Sequence, residues 1–252
     1  MEVNFQDVFG GDADEPDEVD FVTDTHRRRF VALLIDTSRS MAAAQTDGVP
    51  AIEALNRHVA EWLPKVRAEG RGQLRDVEFA VITFGAGGVA VASGNQRPSA
   101  QDDGAFVPAA RLTLGPLTAG GATPMVEAVD LALDLVEQRR RYVQEVHGQQ
   151  TGGPRLILIT DGEPTDFEGN PTEDWHRLAV RLQQSRDAGR LLLFAFGVPG
   201  VNDDVMRALA GDEAYFRLQD LDLKRVLDLV LVATADHVGY RRVNEKFQDG
   251  HL

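Results

Sequence analysis

The 252-residue sequence contains no cysteine. A disulfide framework and a thiolate zinc site are therefore excluded, and a reducing compartment suits the chain. Positive charge is also scarce. There are 26 Lys and Arg against 40 Asp and Glu, a formal net charge of -14. That balance argues against sequence-independent nucleic-acid binding, which depends on neutralising phosphates with Lys and Arg. It suits a cationic ligand, a metal or a basic protein surface better. No apolar run approaches the roughly 20 residues of a membrane helix. The first twenty residues lack the positive segment and apolar stretch of a secretory signal. The expectation is a soluble cytoplasmic protein. Catalytic signatures are missing as well: there is no G-x-x-x-x-G-K-[ST] phosphate loop and no G-x-S-x-G nucleophile elbow.

What the chain does have begins with charge. Nine acids and no Lys or Arg occupy the first 24 residues, interrupted by Gly10, Gly11 and Pro16. Residues 1–25 therefore read as a flexible acidic arm, followed by the basic flank His26–Arg29. The arm is either a solvated tail or a tethered source of carboxylates that compete for a site elsewhere on the chain. Residues 26–240 form the expected domain, and 241–252 a C-terminal tail.

Within that domain, apolar runs alternate with helical periodicity. FVALLID, VEFAVITFG, PRLILITDG and LLLFAFGV read as strands buried on both faces; GVAVAS and FVPAARLTL read as shorter edge strands. Helices are expected over 49–69, shortened or kinked by Pro64, and over 123–147. A third should begin near Asn170 as cap, with Pro171 at the first helical position and Glu173 completing a capping box. A short helix follows over DDVMRALAG. The last covers 221–237, with Leu221, Leu223, Val226, Leu227, Val230 and Leu231 on its apolar face. This order predicts an α/β fold: a doubly wound, mainly parallel sheet with helices on both faces. Ligands then bind beyond the carboxyl ends of the strands, where strand order reverses.

Three segments supply oxygen-bearing side chains to that edge. The first strand runs out at Asp36, with Ser38 and Ser40 at alternate positions after it. In AGGATPM, Gly120 and Gly121 permit close approach to a ligand, and Thr123 stands as N-cap of the long helix. In ITDGEPTD, Asp161 follows a strand and precedes a Gly turn. Each segment alone is ordinary turn or cap chemistry. Together they offer two carboxylates and three hydroxyls, hard donors suited to Mg²⁺ or Mn²⁺ rather than zinc or copper. An ion held this way stays electrophilic, and a carboxylate from another protein would satisfy it.

The pattern D-x-S-x-S…T…D resembles the metal-ion-dependent adhesion site of the von Willebrand factor A family, over about residues 30–240. DTSRSM, VITFG, GGATPMVEAVDLAL and ITDGEPTD further resemble the bacterial tellurium-resistance-associated, TerY-like group. The resemblance implies a metal-dependent protein-interaction module, in bacterial stress response, tellurite or metal resistance, or defence. Kinase or phosphatase neighbours and a partner offering Asp or Glu belong to the same implication, with no nucleic acid and no membrane. It also implies that Ser38, Ser40 and Thr123 coordinate through hydroxyls, and Asp36 and Asp161 directly or through water. Arg39 departs from the family pattern, which has Gly between the serines; its guanidinium points to solvent, slightly weakens cation binding, or grips the captured carboxylate. A phosphohydrolase of haloacid-dehalogenase type is the enzymatic alternative. It needs D-x-D where this chain has Ser38, and a lysine, of which there are only Lys65, Lys224 and Lys246. His58, His147, His176 and His237 fall in helical segments rather than at strand ends. A metal-free scaffold is the third reading.

Overall fold

The unbroken apolar run after the basic flank forms β1 (Arg29–Thr37), buried along its whole length. A computed structural model describes residues 27–43, 48–94, 104–198, 200–218, 223–234 and 243. The expected acidic arm, and the expected C-terminal tail apart from Val243, lie outside the described residues. After β1 come α1 (Ala51–Glu69), β2 (Val77–Gly85), β3 (Gly88–Val91) and β4 (Val107–Pro108). Then follow α2 (Met125–His147), β5 (Arg155–Thr160), α3 (Trp175–Asp187) and β6 (Leu192–Gly197). The order closes with α4 (Asp203–Ala210), β7 (Tyr215–Arg217) and α5 (Leu223–Thr234).

The strands line up as β3-β2-β1-β5-β6-β7, with β4 also pairing β2. All pairs are parallel except those of β3 and β4 with β2. Side chains alternate across the sheet with period two. Val31, Leu33 and Ile35 therefore join one core with α1 and α5, while Phe30, Ala32 and Leu34 join the other with α2, α3 and α4. Burial on both faces explains why these strands are continuous apolar runs. The expected doubly wound fold is present. From β1 the chain first steps to β2 on one side, then later to β5 on the other. Strand order thus reverses beside β1, and the crevice at the carboxyl ends of β1 and β5 is the topological switch point.

Four local expectations differ. Pro64 does not shorten α1, which runs to Glu69; burial of Trp62, Leu63 and Val66 holds the turn whose hydrogen bond the ring removes. The second edge segment pairs only at Val107 and Pro108 and then turns into a short 3-10 helix, Ala109–Arg111. The third helix starts at Trp175, not near Asn170. Asp166 accepts the Asn170 backbone N–H at 2.8 Å and its side-chain amide at 2.9 Å, and Pro171 bridges Thr165, so this stretch closes a loop instead. The last helix is described from Leu223 to Thr234; Leu221 and His237 lie outside the described residues. On it Val226, Leu227 and Val230 are buried and Leu231 packs on the same core, with Leu229 and Ala233 buried beside them.

Candidate metal centre

β1 carries Asp36 to the switch point and buries it completely, at 0% exposure. The carboxylate is fixed from two sides. Oδ1 accepts the Ser38 backbone N–H at 2.7 Å, a local Asx-type bond, and Oδ2 accepts the Thr160 hydroxyl from the end of β5 at 2.6 Å. A 3-10 turn, Arg39–Ala42, then folds the chain back. It sets the Ser38 and Ser40 hydroxyl oxygens 2.9 Å apart. Ser40 in turn donates to Asp161 Oδ1 at 2.7 Å. A continuous side-chain network therefore joins the ends of β1 and β5.

Thr123 reaches the same place, but not as a helix cap. Pro124 itself occupies the N-cap position of α2, with ψ 61°, and Thr123 stands one residue earlier. Its backbone N–H donates to the Thr165 hydroxyl at 2.8 Å, and its carbonyl accepts the Thr165 N–H at 3.0 Å. These two bonds pin Thr123 to the loop after β5 and leave its hydroxyl outside capping. Thr123 Oγ1 lies 3.3 Å from where a Cβ on Gly162 would sit, and Asp36 Oδ2 lies 3.7 Å from the same point. A side chain at Gly162 would crowd the Thr123 hydroxyl, so glycine leaves that oxygen room. Gly121 lines the same cleft and also has a packing role. At φ +73° it packs on β2, where a Cβ would meet the Gly85 carbonyl oxygen at 2.5 Å.

The electrostatics are unusual for a buried pair. Burial, and then the like charge of Asp161, push the Asp36 carboxyl up to about 6 against the hydrogen bonds that favour its charged form. Burial also raises Asp161, with the Ser40 bond working the other way. Among the described residues, neither acid forms an ion pair with Lys, Arg or His. Two acids that share a buried site without a counter-ion fit a divalent cation. So does the rest of the donor set, which is hydroxyl oxygen. Among the described residues no three His, Cys, Asp or Glu come together as a metal cluster. The fit rests on two carboxylates plus Ser38, Ser40 and Thr123.

The network opens into a cleft of about 420 Å³, whose lining includes Ser38, Arg39, Ser40 and Thr123 on one side and Phe167 and Glu168 on the other. Arg39 is exposed here, its backbone N–H donating to the Gly121 carbonyl at 3.3 Å. The lining contains no Lys or His. Lys65 lies elsewhere, paired with Asp228 at 3.1 Å between α1 and α5. Sequence reasoning missed Thr160 and Thr165, which orient Asp36 and Thr123, and the Phe167–Glu168 wall. Thr160 had a signal: a hydroxyl at the last position of an apolar strand, next to Asp161.

Residues 31–163, just over half of the chain, match the family model of the von Willebrand factor type A domain. No curated protein sequence matches the chain. Among solved structures it is similar to the pilus adhesin SpaC from Lactobacillus rhamnosus GG, at 15% identity and TM-score 0.53 over 88% of this chain. It spans only 31% of that adhesin. It is similar also to the N-terminal domain of TFIIH p34, at 13% identity and TM-score 0.53, covering 82% of this chain and 98% of that one. At these identities the likeness is one of fold.

Proposed function

This chain belongs to the von Willebrand factor type A domain family, and from that premise we propose that it is a metal-dependent protein-interaction module. Domains of this family generally mediate protein interactions. Asp36, Ser38, Ser40, Thr123 and Asp161 are the residues that would hold Mg²⁺ or Mn²⁺. Bound there, the ion supplies an electrophilic coordination position for an Asp or Glu carboxylate of a partner protein. The observation that carries this reading is the pair of buried carboxylates, Asp36 and Asp161, that no cation of the described chain compensates. Asp36 and Asp161 balance the ion's two charges, and the neutral oxygens of Ser38, Ser40 and Thr123 add no further negative charge, so an open coordination position stays electrophilic toward an anionic partner group. Arg39, exposed on the cleft, adds a guanidinium that can bond the same carboxylate.

The proposed setting is bacterial stress response, tellurite or metal resistance, or defence, and it rests on the resemblance of DTSRSM, VITFG, GGATPMVEAVDLAL and ITDGEPTD to the TerY-like group. Cytoplasmic location and kinase or phosphatase neighbours belong to the same proposal. A ligand that binds only the native state raises its melting temperature by mass action. Millimolar Mg²⁺ or Mn²⁺ is therefore expected to raise the melting temperature of the wild-type chain, and Asp36→Ala to remove that rise. A rise that survives in Asp36→Ala places the cation elsewhere.

A further inference from the structure

One groove runs against the acidic balance of the chain. It lies between α2 and α3, encloses about 300 Å³, and is lined by Arg140, Arg141, Arg181 and Arg190 beside Pro154 and Leu191. Glu137 is the one carboxylate in its lining, and two of the arginines share it: Arg140 Nε donates at 3.1 Å and Arg141 Nε at 2.8 Å. Arg181 is held by Asp130 and Asp134 of α2. Arg190 is exposed and has no carboxylate partner among the described residues. The groove thus keeps surplus positive charge in a chain whose net charge is -14.

Its position matters as much as its charge. Pro154 and Leu191 immediately precede β5 and β6, so the groove opens at the amino end of the sheet, opposite the metal cleft. The described chain also begins at that end. Arg28 bridges Thr151, its Nε donates to the Gln149 side chain at 3.3 Å, and its carbonyl accepts the Gly152 N–H at 2.9 Å. Counting the intervening peptide units puts Arg27 within about 15 Å of the groove. Asp20 precedes Arg27 by seven residues, a span of up to about 23 Å, so the acids of 12–20 have reach to spare. The metal cleft lies about 23 Å farther along β1. Effective concentration falls steeply once a tether must stretch, so the nearer cationic surface is favoured over the cleft.

We propose that the acidic arm, through residues 12–20, docks on the arginine groove between α2 and α3 of its own chain. Its contacts are carboxylate–guanidinium pairs around Arg141 and Arg190, which makes the docking salt-sensitive. The arm is thereby kept at the end of the sheet away from the metal cleft, leaving that cleft to a partner.

Because the chain has no cysteine, Ala13→Cys accepts a single nitroxide label in the full-length protein. The expected result is selective loss of amide signals over 137–141 and 185–191 in an isotope-labelled sample. The signals should return in about 0.5 M salt, and in the Arg141→Glu/Arg190→Glu variant, whose remaining spectrum reports that it is folded. Signal loss centred on 38–40 and 165–169 would overturn the proposal in favour of the metal cleft. Loss seen when isotope-labelled chains are mixed with separately spin-labelled ones would overturn it in favour of docking on a second copy. An absence of localised loss would overturn it in favour of a solvated tail.

Discussion

Glu78 and Asp36 are equally buried acids, 1% and 0% exposed, at opposite ends of the adjacent strands β2 and β1. Glu78 is met by charge. Arg139 donates to both its oxygens, at 2.9 and 3.3 Å, and Arg28 adds a bond at 2.8 Å. Asp36 is met by a backbone N–H and a threonine hydroxyl, and the charge that acts on it is that of another acid, Asp161. An acid whose counter-charge comes from its own chain is part of the scaffold. One buried just as deeply without a counter-charge is arranged for a cation from outside.

The comparison breaks most visibly at Glu78. Glu78→Ala leaves Arg139 buried without its carboxylate, and the expected loss is about 3–5 kcal/mol of unfolding free energy, read by chemical denaturation. The opposite sign is expected at the other acid. Asp36→Asn removes a buried charge while keeping the shape, so at pH 7 without metal the variant should be more stable than wild type, by about 1–3 kcal/mol.

The same contrast has a pH signature. A carboxyl whose folded value is raised binds its proton more tightly in the folded state. Its contribution is fully present below about 4 and is lost as pH rises through about 6. Metal-free wild type should therefore lose stability across that window relative to Asp36→Asn. Added Mg²⁺ should offset the loss above pH 6, where the ion no longer competes with the proton. Equal pH profiles for the two chains would contradict the raised value. The smallest effect is expected at Arg39. Its guanidinium is exposed and screened, so Arg39→Ala should tighten cation binding only about two- to fivefold, measured by titration at low salt.

Much of this arrangement is legible in the sequence because it depends on period and punctuation. The runs ending at Asp36 and Thr160 had to be buried strands, and the doubly wound order follows from alternation. With β1 central, Asp36 and Asp161 fall at one edge, and Ser38 and Ser40 follow by chain continuity. What was not legible depends on contacts between distant segments. Thr123 reads as a cap until Thr165 is seen bonding its backbone and Pro124 taking the cap position itself. The start of α3 reads as Asn170 until Asp166 is seen to claim both Asn170 donors. Thr160 is the intermediate case: its place at the end of an apolar strand beside Asp161 is legible, but the bond from its hydroxyl to Asp36, 124 positions away, is not. The pairing of Glu78 with Arg139 spans 61 positions and leaves no local mark.

The central claim is that the uncompensated pair Asp36 and Asp161 takes up a divalent cation. The most direct measurement is a Mn²⁺ titration of the full chain followed by the spin-resonance signal of free Mn²⁺. The account predicts one Mn²⁺ per wild-type chain, displaced by excess Mg²⁺, with affinity reduced about 100-fold or more in both Asp36→Asn and Asp161→Asn. Wild-type affinity in both variants, or no uptake by the wild-type chain at millimolar Mn²⁺, would contradict it.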